Sequence, residues 1–141
     1  MDYFQRFRDI SAKPNDYAQN WKKKTGGKVV GHLCSYTPVE LIVAAGALPY
    51  RILSSGAQIS RADGHLQAYC CGLVRGVLED ALAGRLSFLD GAVFPHTCDT
   101  IQRLSDIWRM NIGTAFHADI ILPVKLDTDS AAEYMLAVLR K

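Results

Sequence analysis

Residues 91–110 read GAVFPHTCDTIQRLSDIWRM, and the change of pattern inside this stretch decides the fold. Gly91 to Pro95 is a short continuous apolar run of the kind expected of a strand covered on both faces. From about Thr100 to Met110, Ile101, Leu104 and Trp108 recur at helical spacing, which predicts a helix with one apolar face. A buried strand followed at once by an amphipathic helix is half of a βαβ unit. Between the two lie His96, Cys98 and Asp99.

The same alternation extends to either side. KVVGHL (28–33) is a β-branched run, and CSYTPVELIVAAGALP follows it. There Thr37, Pro38 and Glu40 fit a capping box with proline at the first helical position, and Gly46 stands where the helix should end. LPYRIL (48–53) reads as the next strand, and SSGAQISRADG after it as a polar loop. Leu73, Val74, Val77, Leu78, Ala81 and Leu82 mark a helix from about Cys71 to Ala83, closed by Gly84. ADIILP (118–123) is a fourth strand, and Ser130 with Glu133 predicts a last helix still running at Lys141. Ahead of all this, Tyr3, Phe4, Phe7, Ile10, Tyr17 and Trp21 suggest two short amphipathic helices broken at Pro14 and ended by Gly26-Gly27.

Four rounds of this alternation predict an α/β class: a doubly wound, mostly parallel four-stranded sheet with helices on both faces, flavodoxin-like in shape. Residues 1–25 form an N-terminal helical segment and 26–141 the α/β domain. Right-handed crossovers then put every strand-to-helix turn on the carboxyl edge of the sheet, where such folds bind ligands.

The bulk properties agree. The 141 residues are 49% hydrophobic and 21% charged, which fits one globular domain burying roughly two-thirds of its unfolded surface. A net charge of +2 is spread along the chain, and its one basic run, Lys22-Lys23-Lys24, reads as a solvated helix end and not a nucleic-acid footprint. The N-terminus mixes charges with aromatics and is neither a signal peptide nor a membrane span, so a reducing cytoplasm is expected. Four cysteines there argue for metal, cluster or catalytic use as the alternatives to simple burial.

On this topology all the thiols fall on the carboxyl edge. Cys34 directly follows the first strand, Cys70 and Cys71 precede the second crossover helix, and Cys98 follows the third strand. Each could be an independent small hydrophobe. Structural zinc wants closely spaced ligand pairs, and none is present. An iron-sulfur cluster accepts thiolates from separate loops. A nucleophilic Cys98 served by His96 is a further reading. Cys71 and Cys98 stand at helix starts, where open N–H groups favour thiolate.

GHLCSYTPVELIVAAGALPYRI, CCGLVRGVLEDALAG and LDGAVFPHTCDTIQRLSDIW together resemble the 2-hydroxyacyl-CoA dehydratase and benzoyl-CoA reductase family, which includes the D component of 2-hydroxyglutaryl-CoA dehydratase. The resemblance runs from about Trp21 onward. It implies a 4Fe-4S cluster beside an acyl-CoA site. Cys34 matches the cysteine before Y-x-P-x-E-L, Cys71 the one four residues ahead of a basic residue, here Arg75, and Cys98 the thiol of the C-D-T motif. Cys34, Cys71 and Cys98 are thus the implied cofactor-binding and metal residues, with Cys70 an extra neighbour. Tyr36, Arg75, His96 and Asp99 are the candidates for groups beside the cluster or the substrate. Gly72 stands where the family often has proline. Family members are longer, with a second α/β domain, so the chain looks like the N-terminal domain alone.

The resemblance further implies a second subunit, an ATP-dependent activator protein and a low-potential electron passed through the cluster to the acyl-CoA thioester. The resulting ketyl radical loses its 2-hydroxyl in dehydratases, whereas in the reductases the aromatic ring is reduced. The alternative is a cofactor-free, flavodoxin-like scaffold that pairs with a partner subunit.

Overall fold

Four short strands, Val29–His32 (β1), Leu48–Arg51 (β2), Gly91–Pro95 (β3) and Phe116–Ile120 (β4), pair in parallel in the order β2-β1-β3-β4. The computed structural model describes residues 2–141. The helices are Tyr3–Ala12 (α1), Pro14–Thr25 (α2), Val39–Ala44 (α3), Gly72–Leu82 (α4), Asp99–Asn111 (α5) and Asp129–Leu139 (α6), with a 3-10 turn at Ala62–Gly64. The chain leaves β1 toward β2, then crosses back to place β3 on the other side of β1. That reversal makes the gap between the carboxyl ends of β1 and β3 the topological switch point, as the doubly wound expectation requires.

Alternation along β3 divides the core. Ala92 and Phe94 join Ala18 of α2, Val77 of α4 and Trp108 of α5 in the larger cluster. Val93 faces the other way, to Ile42 of α3 and Ile120, with Met135 and Val138 of α6 packed alongside. Helices therefore cover both faces. Phe94 meets Trp108 edge to face at 5.6 Å between centroids, and both are fully buried. Gly91 has to be small, because a Cβ there would lie 2.7 Å from the Cβ of Phe116 on the paired strand.

Three local expectations need correction. The capping box at Thr37 does not form: α3 begins one residue later, at Val39, with Pro38 as its N-cap and no side-chain cap. The backbone has taken over that role, since Val39 N–H donates to the Thr37 carbonyl at 2.8 Å, and the Thr37 hydroxyl is buried without a partner. This helix has only six residues, although Gly46 ends it as expected, with φ +75°. The Ser130 cap is also missing. Helix α6 starts at Asp129 with Thr128 before it, the two hydroxyls of Thr128 and Ser130 lie 3.1 Å apart, and the helix ends at Leu139, short of Lys141. Finally, β4 begins two residues early, because its register is set by pairing with all of β3.

The basic run is not wholly solvated either. Lys22 Nζ donates to the Phe88 carbonyl and pairs with Asp90, each at 2.8 Å, while Asp90 also accepts from the Val29 N–H at 2.9 Å. Asp90 thereby fastens α2 to the amino edge of β1. Burial alone would raise the Asp90 carboxyl, but the donors from Lys22, Val29 and Lys28 bring it down to about 2.

The polar loop after β2 is held in place by two adjacent carboxylates of α4. Glu79 Oε2 accepts the backbone N–H groups of Ser60, Arg61 and Ala62 at 3.0, 2.7 and 3.0 Å. Asp80 accepts Ser55 N–H at 2.7 Å, the Ser55 hydroxyl at 2.6 Å and Arg85 Nε at 2.6 Å. Gly76 permits the approach, since a Cβ there would come within 2.0 Å of the Ser54 hydroxyl. No described helix is long and apolar enough to cross a membrane.

Candidate functional site

The turn that leaves β1 is built on unusual backbone. Cys34 has φ +49° and Tyr36 φ +69°, and they are the only non-glycine residues with positive φ among those described. Neither side chain suits that region, which costs each residue roughly 1–2 kcal/mol, and two such residues at a switch point are the kind of strain that ligand sites keep.

Two helices start around this turn. Cys71 is the N-cap of α4 and Cys98 the N-cap of α5, each in extended conformation and neither making a side-chain cap bond. Their first-turn N–H groups are thus left open toward the carboxyl edge, along with the positive ends of the two helices. Cys34 itself is half-buried. Burial pushes its thiol pKa up, the nearby Cys98 and Cys71 push it further, and Arg51 and a hydrogen bond with the Thr97 side chain oppose the rise. The Cys34 thiol is thus harder to ionise beside its two neighbours, and its surroundings favour a positive group next to it.

Cys70 stands apart from this group. It is buried in the larger core cluster and lines a separate pocket of about 440 Å³ with His65, Tyr69, Asp99 and Arg103. Asp99, the first residue of α5, thus opens onto the neighbouring pocket. Tyr36 is 70% exposed. The Arg75 guanidinium is paired with Asp63, tying α4 to the 3-10 turn, and its Nε is buried without a partner. His96 Nε2 lies 2.9 Å from Asp119 Oδ1. Its ring is accordingly engaged with the edge strand.

That contact belongs to a network that sequence reading missed. The Ser105 hydroxyl, on a residue only 1% exposed, donates to the same Asp119 oxygen and lies 2.9 Å from His117 Nε2. His117 stacks on Phe94 with centroids 4.9 Å apart. Burial would raise the Asp119 carboxyl, yet hydrogen bonds from Ser105 and His96 and the charge of the two histidines hold it below its ordinary value. Burial lowers His117, against the pull of Asp119. The available signal was His117 and Asp119 at alternate positions of one strand, which places them on one face. Arg51 and Thr97 carried no such signal.

Among the described residues no three His, Cys, Asp or Glu side chains converge tightly enough to hold a single ion. Three thiols around a strained turn, with open helix starts on two sides, fit a group larger than one ion, whose corners point in different directions. A second feature lies on the α3 and α6 face, where a groove of about 840 Å³ runs past Pro38, Leu41, Val93, Ile120 and Val138. It is lined mainly by apolar side chains.

Comparison with known proteins bears on this edge. The sequence model of the family described as 2-hydroxyglutaryl-CoA dehydratase, D-component, matches residues 34–141. The chain is 32% identical to one of the subunits of benzoyl-CoA reductase from Thauera aromatica, over 88% of its own length and 33% of the relative's. It is 26% identical to the beta subunit of (R)-phenyllactyl-CoA dehydratase from Clostridium sporogenes over 94% and 36%. It is 32% identical to the beta subunit of (R)-2-hydroxyglutaryl-CoA dehydratase from Acidaminococcus fermentans over 75% and 28%. The chain thus spans about a third of the length of these relatives.

Proposed function

Because this chain belongs to the 2-hydroxyglutaryl-CoA dehydratase D-component family, we propose that it is the cluster-carrying part of a dehydratase or reductase subunit acting on an acyl-CoA. In this reading Cys34, Cys71 and Cys98 hold a 4Fe-4S cluster at the switch point. The cluster supplies, when bound, one low-potential electron for the thioester carbonyl. The observation that carries the reading is that Cys71 and Cys98, at the open starts of α4 and α5, both lie near enough to Cys34, beyond the end of β1, to act on its thiol.

The chain's own residues do the rest. The open N–H groups of α4 and α5 stabilise thiolate and sulfide charge and tune the potential. The left-handed turn at Cys34 and Tyr36 sets the direction of the first ligand. The core beneath the site excludes water from one side of it. Relatives that are each named as one subunit of a larger enzyme support a partner subunit for this chain. An activator protein delivering the electron in a reducing cytoplasm completes the proposal.

The test is anaerobic reconstitution of the purified chain with iron and sulfide, followed by absorption and iron analysis. The expected result is a brown protein that binds iron in amounts that fall when Cys34 or Cys71 is replaced by serine. A colourless protein with the same trace of iron in wild type and variants would overturn it. The apolar groove favours a second reading, a scaffold that pairs with a partner subunit and holds no cofactor. That reading predicts a stable complex free of iron.

A further inference from the structure

We infer that Asp119, on the edge strand, is a positioning residue that fixes the β3-to-α5 turn carrying Thr97 and Cys98 against Cys34. The turn begins at His96, and β4 grips His96 twice. Its backbone N–H donates to the Ile120 carbonyl at 2.8 Å, and its ring Nε2 meets Asp119 Oδ1 at 2.9 Å. Asp119 is itself immobilised, because the buried Ser105 hydroxyl donates to the same oxygen and His117, stacked on Phe94, lies 3.6 Å from Oδ2.

Two residues beyond His96, Cys98 starts α5 at the carboxyl end of β3, and the parallel pairing of His32 with Val93 brings the end of β1, which Cys34 follows, alongside that turn. A contact chain thus runs from the edge strand to the turn at the switch point: Asp119, His96, and the Thr97-Cys98 backbone that faces the end of β1. Removing the Asp119 carboxylate frees the first link and also takes the acceptor from the Ser105 hydroxyl of α5, so Cys70, buried in the larger core, reports on the rest of the fold. The inference rests on the cluster reading for its purpose, but the contact chain is a property of the thiols themselves and is measured without iron.

The experiment is alkylation of the full, reduced, metal-free chain with iodoacetamide under native conditions, with each cysteine followed by peptide mass spectrometry. In Asp119→Ala, Cys34 should label about tenfold faster, the opening expected from losing one charge-assisted hydrogen bond, and Cys98 should change with it. Cys71, on a different turn, should keep its wild-type rate and Cys70 its protection. Asp119→Asn retains an acceptor oxygen for His96 and should restore the wild-type pattern. Should Asp119→Ala fail to fold, His96→Leu breaks the same link from the other side and should reproduce the selective acceleration. Unchanged Cys34 and Cys98 rates in these variants, or Cys70 speeding up in step with Cys34, would overturn the inference. Absence of iron from the reconstituted wild type bears only on the cluster reading, so the two can fail separately.

Discussion

The carboxylate of Asp90 receives the ammonium of Lys22 at 2.8 Å across a gap of 68 residues in sequence, and that contact fastens the N-terminal helices to the sheet. Its consequence is a pH dependence with a definite sign. The folded carboxyl sits at about 2, against an ordinary value of 3.8. A depressed carboxyl contributes stability that is fully present above about pH 4 and disappears as pH falls toward 2. With one lysine partner well exposed, the contribution is on the order of 1–2 kcal/mol. Urea unfolding of wild type and Asp90→Asn should differ by that amount at pH 7 and converge near pH 2. Parallel curves at both pH values would contradict it.

Glu79 makes a separate prediction about the loop after β2. Its carboxyl is held below its ordinary value by the N–H groups of Ser60 and Ala62, against the effect of burial. Glu79→Gln keeps an oxygen for all three donors but removes the negative charge that strengthens each of those bonds. Hydrogen exchange at the amides of residues 60–62 should accelerate while the amides of β3 stay protected. Equal acceleration in both places would mean that Glu79 acts on the whole fold and not on the loop.

These two carboxylates also show where sequence reading stopped. Strand β3 was legible because it is a continuous apolar run, and α4 and α5 because their apolar residues recur at helical spacing. What could not be read is any contact whose partners lie far apart in the chain. Glu79 and Asp80 fall outside the apolar spacing that marks α4, and only the path of the loop over α4 gives their buried side chains partners. The capping box at Thr37 failed for a related reason: the left-handed residues at Cys34 and Tyr36 set the entry to α3, and nothing local announces them. For the site, the order of cysteines along the edge was readable from topology, and the family resemblance named the same residues. The Asp119 network needed the register of β4, which the sequence misplaced by two residues.

Trp108 anchors the larger core against Phe94 and is fully buried. Trp108→Ala should destabilise the chain by about 3–5 kcal/mol, from lost transfer energy and the cavity left behind. A chain of this size has only about 5–15 kcal/mol in hand, so the variant is expected to melt well below wild type by circular dichroism. A loss under about 1 kcal/mol would mean that α5 does not pack on β3 as described.

Tyr36 separates strain from stability most cleanly. Its φ of +69° is unfavourable for any side chain but glycine, and at 70% exposure the ring contributes little burial to offset it. Tyr36→Gly should therefore stabilise the isolated chain by on the order of 0.5–1 kcal/mol after the extra flexibility of glycine in the unfolded state is counted. If the strain serves the cluster, the same variant should hold less iron after reconstitution, because a glycine turn no longer holds Cys34 in one direction. A gain in melting temperature with a loss of iron is the expected pair. A variant that melts lower than wild type would show that Tyr36 is held by packing and that the left-handed turn at the switch point stores no strain.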